Sequence, residues 1–352
     1  MRAFSRAERG GWILALLAFA FLLSYGYRSN HLNFRGDDAQ LYVGVKQLLR
    51  HRTFYRGIDY ILIAKPGQRL DADDRVSFNA YPPATALFYF PFSLFPWPIA
   101  RDLWYFCSMG CLFALGLVLF DLFGTRLPRV CKPFWLLALF LSTPPTSVVR
   151  YGSISFPMLL ALALAWRQML RPGKRSAALA GFWYAIALLK LTIALPFLAY
   201  HLLRRPARTV ALYALGITLA LNLAVSVFGH GPLTMLSEYR ATLHTLTAPG
   251  GFNDTGYTGR RRYYLTNLGI AVFDAIRLVN GPHPGPETPG ELLADRIVEW
   301  VFGLGVAGLF IRYALRRNAE EAKLEEGLSA KTPEETRARH GLEDWALAGL
   351  SV

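Results

Sequence analysis

Apolar residues in this chain gather into long uncharged runs separated by short basic loops, and that spacing predicts helices that cross a membrane. The first run, 12–25, follows Arg2, Arg6 and Arg9. A secretory signal begins in the same way, but no small-residue cleavage site follows, only Tyr27-Arg28-Ser29-Asn30. It reads as an uncleaved first span with its N-terminus in the cytoplasm. Runs at 101–123, 134–149, 154–170, 209–228 and 292–315 predict further crossings. The basic loops Arg126/Arg129/Lys132 and Arg171-Pro172-Gly173-Lys174-Arg175 mark cytoplasmic ends.

Three stretches depart from plain spans. Residues 84–97 are aromatic, short and interrupted by Pro91 and Pro96, which favours a re-entrant or interfacial hairpin; Pro82-Pro83 also suits a simple helix start. The piece 177–203 has basic residues at both ends, so sidedness is kept if it turns back on itself at Lys190-Leu191-Thr192, ahead of Pro196. That turn carries Lys190 toward the outer half of the membrane. Residues 265–279 hold Asp274 and Arg277 and are expected to lie along the interface.

The expected architecture is an all-α polytopic membrane protein. It divides into a cytoplasmic N-terminus with the first helix (1–27), a first outer loop with the hairpin (28–99), a transmembrane core (100–228), a second outer loop with the interfacial helix (229–290), a transmembrane helix (291–315), a charged cytoplasmic segment (316–344) and the start of a further helix (345–352). Because 345–352 looks like a span cut short, the sequence is expected to be a fragment.

Composition sharpens the class. Of the 352 residues, 53% are hydrophobic, only slightly above the soluble norm, so the distribution decides rather than the total. The net charge of +14 is spread over inter-span loops, which reads as topology and argues against nucleic-acid binding. Cys107, Cys111 and Cys131 lie in or beside apolar runs without the companions of a zinc site or a disulfide framework. No phosphate-binding loop or dinucleotide fingerprint is present, and Asp59, Asp71, Asp73 and Asp74 fit no calcium loop. Neither a cofactor nor a divalent metal is expected. No internal repeat is visible, against an inverted-repeat transporter.

The chemistry centres on Arg35-Gly36-Asp37-Asp38-Ala39-Gln40-Leu41-Tyr42. Adjacent carboxylates near lipid are costly unless paired or used. One reading makes either Asp an N-cap for an amphipathic helix over about 38–50; the other makes it a general base for a substrate hydroxyl. On the expected topology the same outer face receives Tyr81, Arg150, Tyr151, Lys190, His230, His244 and the run Arg260, Arg261, Arg262. Arg and Lys there can hold a phosphate leaving group, although Arg260–Arg262 also suits anionic head groups and Lys190 can simply snorkel.

In order, Asp38-x-x-x-Tyr42, Leu48-Leu49 with Phe54-Tyr55, Tyr81-Pro82-Pro83-Ala84 with Leu94-Phe95-Pro96, Tyr151-Gly152-Ser153, and Gly181 to Lys190-Leu191-Thr192 resemble glycosyltransferase family 87. The resemblance spans most of residues 10–280. It implies a GT-C fold and inverting transfer of a sugar, a hexose such as mannose, from a polyprenyl-phosphate donor to an envelope lipid or glycan. Transfer would take place on the outer face of the cell membrane. It implies Asp38 as base, Asp37 as fallback, Lys190, Arg150 and Arg260–Arg262 toward the donor phosphate, and Tyr42, Tyr81, Tyr151 and Ser153 along the cleft. The sequence departs from the family at Ser153, where Gln is usual, and at Pro196, six residues after Lys190. A transporter or flippase, or an inactive assembly partner, is the competing expectation.

Overall fold

The computed structural model describes residues 5–32, 36–55, 79–123, 128, 130–171, 173–247 and parts of 301–319. Among the described residues all regular structure is helical. The helices are α1 (Arg6–Leu32), α2 (Asp37–Leu48), α3 (Thr85–Ser93), α4 (Trp97–Phe123), α5 (Cys131–Leu141), α6 (Thr143–Arg150), α7 (Ser155–Met169), α8 (Lys174–Ala187), α9 (Leu191–Leu203), α10 (Arg205–Phe228) and α11 (Pro232–Thr247). Among these residues three stretches are long and apolar enough to cross a membrane: Arg6–His31, Trp97–Phe123 and Ala207–Phe228. The protein is a membrane protein of helical class.

Small residues set how these helices approach. On α1, Gly11, Ala15, Ala18, Leu22 and Gly26 recur at three- and four-residue spacing and face inward. A Cβ on Gly11 would meet Pro133 Cγ at 2.9 Å, and one on Gly26 would meet the Tyr105 hydroxyl at 2.8 Å. The opposite face leaves Leu14, Leu17, Phe21 and Tyr25 exposed, as suits contact with lipid. The stripe continues one turn further to Asn30, which is buried. Ala180, Tyr184 and Ala187 of α8 likewise share a core with Ala161, Leu162 and Ala165 of α7 and Ala211 and Ala214 of α10.

A separate core surrounds α2. Leu41, Val45, Leu48, Phe54, Tyr55, Tyr89, Trp97, Trp104, Ile154 and Met158 pack together. The expected amphipathic face is not found: α2 is buried nearly all round, and Leu49, just past its end, is exposed. The stretch 84–97 resolves into α3, with Pro91 inside it, and a turn into α4.

Two further expectations change. The run 134–149 breaks at Ser142, whose extended backbone separates α5 from α6. The second outer loop, read as polar and glycine-rich, opens with helix α11, which buries Met235 and Thr242 seven residues apart on one face. The four aspartates at 59–74, the interfacial stretch 265–279, Arg260, Arg261 and Arg262, and nearly all of the terminal segments 316–344 and 345–352 lie outside the described residues.

Candidate active site

The site is built where the N-terminus of α2 meets the turn between α6 and α7. Gly36 is the N-cap of α2, with extended backbone and no side-chain cap, so neither Asp37 nor Asp38 caps the helix. Both stand in its first turn, where the helix dipole favours negative charge. The Asp37 amide donates to the Tyr151 carbonyl at 2.7 Å. Gly152 adopts φ +60°, and its carbonyl accepts the indole N–H of Trp104 at 2.9 Å. Trp104 is in turn held by Tyr89 and Phe92, with ring centroids 5.0 and 5.2 Å away. An aromatic cluster thus fixes a turn, and the turn fixes the helix start.

The two carboxylates have different surroundings. Asp38 is 1% exposed and lies under the turn. A Cβ on Gly152 would sit 2.6 Å from each of its carboxylate oxygens. Its Oδ1 accepts the Ala39 amide at 2.9 Å, and its Oδ2 accepts Asn30 Nδ2 at 3.3 Å. Burial pushes its carboxyl up to about 7; those two hydrogen bonds and Arg101 oppose the rise, and the charge of Asp37 adds to it. Asp37 is half-buried and accepts the Tyr81 hydroxyl at short range. Burial and the Asp37 charge hold the Tyr81 phenol far above its usual range, so it stays a donor.

Lys190 caps α9 at the break after α8, in a non-helical backbone conformation. Its ammonium donates to Ser153 Oγ and Ser155 Oγ, both at 2.8 Å, and lies 6.0 Å from the Tyr81 ring centroid. The structure therefore gathers Asp37, Tyr81, Lys190, Ser153 and Ser155 into one polar cluster, with Asp38 behind it. Arg150 is exposed, its guanidinium 5.7 Å over the half-buried Tyr151 ring. Tyr42 points elsewhere, its hydroxyl bonded to the Phe95 carbonyl at 2.9 Å. His230 is held by the His51 carbonyl at 2.7 Å, near Glu238, and His244 lies on α11. Among the described residues no three His, Cys, Asp or Glu side chains converge as metal ligands would.

Sequence reading missed Asn30 and Ser155. Asn30 was legible as the next step of the α1 stripe, and Ser155 from its spacing two residues beyond Ser153.

Comparison with known proteins adds a family. The model described as "Glycosyltransferase family 87" matches residues 79–328, most of the chain, with the acidic pair lying before the matched region. An alpha-(1->3)-arabinofuranosyltransferase of Mycolicibacterium smegmatis is 27% identical over 186 residues, 52% of this chain and 42% of that relative. The chain thus spans less than half the length of that relative. No solved structure matches.

Proposed function

This chain belongs to glycosyltransferase family 87, and on that premise we propose that it is a GT-C enzyme moving a sugar from a polyprenyl-phosphate donor to an envelope lipid or glycan. The observation that carries this reading is Asp38, a buried carboxyl held near 7 behind a lysine–serine cluster. A base with its pKa near the working pH is efficient at taking a proton from a hydroxyl.

In this reading Asp38 takes the proton of the acceptor hydroxyl. The freed oxygen attacks the anomeric carbon from the face opposite the phosphate. The bond from that carbon to the phosphate oxygen breaks, its electron pair leaves with polyprenyl phosphate, and the configuration inverts. Lys190, oriented by Ser153 and Ser155, would balance the charge that develops on the departing phosphate, with Arg150 and Arg260–Arg262 as further candidates. No nucleotide or metal enters these steps. The site would face the outside of the cell membrane.

A second reading makes Asp37 the base. It is favoured by the partial exposure of Asp37 and its contact with Tyr81 within the cluster. For the sugar, the resemblance favours a hexose such as mannose, whereas the name of the relative places arabinofuranose beside it.

The test is a transfer assay with purified protein, membrane lipid acceptors and radiolabelled polyprenyl-phosphate mannose and arabinofuranose. Label moving to acceptor, or slow donor hydrolysis, supports the enzyme and names the sugar. A folded protein inert to both donors speaks for a transporter or an inactive assembly partner.

A further inference from the structure

Asn30 comes from a helix that the site otherwise does not use. It is 1% exposed near the C-terminal end of α1, and its Nδ2 donates to Asp38 Oδ2 at 3.3 Å. Its carbonyl oxygen, Oδ1, is buried with no hydrogen-bond partner among the described residues. An orphaned buried acceptor costs on the order of 1–3 kcal/mol, so it calls for a reason.

Asp38 supplies one. As a carboxylate it only accepts, and Asn30 offers an N–H. As a carboxylic acid it must donate one O–H, and the same Asn30 carboxamide carries an unused acceptor. A terminal amide torsion has two broad wells, so a half-turn of the Asn30 amide exchanges its donor for its acceptor. We infer that Asn30 is a positioning residue that serves both protonation states of Asp38, donating to the carboxylate before proton transfer, the stronger of the two bonds because it is charge-assisted, and accepting from the acid after it. The inference rests on Asp38 as base.

Other charges face the same carboxyl. Asp37 lies on its own helix, Arg101 on α4, and Tyr81 and Tyr89 at and on α3. All are unchanged in an Asn30 variant, so a shift on substitution reports Asn30. The Asn30 hydrogen bond holds the Asp38 carboxyl down against burial, so its loss lets the carboxyl rise further above about 7.

The experiment pairs two readouts on wild type, Asn30→Leu and Asn30→Ser in detergent. One is the pH profile of transfer. The other is infrared titration of the protonated Asp38 carboxyl, its band assigned by loss in Asp38→Asn. In wild type both should turn near 7. In Asn30→Leu both should move up by about one unit, tenfold in rate at a fixed pH on the acidic limb. Asn30→Ser, which keeps a group able to donate and accept, should stay closer to wild type. A lowered plateau with limb and band both unmoved overturns the role of Asn30. A band that moves while the rate profile does not supports Asn30 and removes Asp38 from the base role. If Asn30→Leu does not fold, Asn30→Ala carries the comparison: an upward shift of its band supports the role, and an unshifted band overturns it.

Discussion

Gly152 holds more of the site than its size indicates. Its φ of +60° is a conformation that costs other residues about 1–2 kcal/mol, and any Cβ there would press on both oxygens of Asp38. Gly152→Ala should therefore lower stability by at least about that amount and reduce transfer at least tenfold. Unfolding in detergent and initial rates measure the two effects separately. Asp38 itself should show the opposite balance. Its folded pKa of about 7 lies above the ordinary 3.8, so the fold holds the proton more tightly than the unfolded chain does. That stability is fully present below about pH 4 and is lost as pH rises through 7. Asp38→Asn should accordingly be at least as stable as wild type at pH 8, however inactive it is. At this scale the sequence showed the acidic pair, Tyr81, Ser153 and Lys190, because polar residues stand out between apolar runs. It did not show which carboxylate is sealed, since burial of Asp38 depends on Gly152 more than a hundred residues away. Asn30 was overlooked because the first span was read as ending before it, whereas α1 runs to Leu32.

Several helix contacts here depend on absent side chains. At buried Gly181 of α8 a Cβ would lie 2.5 Å from Tyr213 Cβ of α10. Gly181→Leu should force the pair apart at a cost of about 1–3 kcal/mol, typical of overpacking, seen as a lower melting temperature in detergent. Gly110→Leu, where a Cβ meets nothing within 4 Å, serves as the control and should change little. The order of helices was legible in the apolar runs, and so was the break at Lys190. The interruption at Ser142 was not, because the run 134–149 contains no charge to mark it. Helix α11 was hidden by its glycine- and histidine-bearing approach, although Met235 and Thr242 carry a helical period.

For the whole molecule the open quantity is sidedness. Helix α1 is long and apolar enough to cross a membrane, and it separates Ser5 from the α2 segment that bears the acidic pair. With Cys107, Cys111 and Cys131 replaced by Ser, Ser5→Cys should resist an impermeant maleimide on intact cells, and Arg52→Cys should react. The reverse pattern would put the acidic pair in the cytoplasm, out of reach of the donor proposed for the outer face.

The central claim is that Asp38 takes the proton in a glycosyl transfer, and it is most directly tested by comparing Asp38→Asn and Asp37→Asn with wild type under the same donor. The account predicts that Asp38→Asn lowers transfer by about a hundredfold or more, in line with loss of a general base, while Asp37→Asn retains measurable turnover. Activity that survives in Asp38→Asn and collapses in Asp37→Asn would contradict it and move the chemistry to the carboxylate bonded to Tyr81.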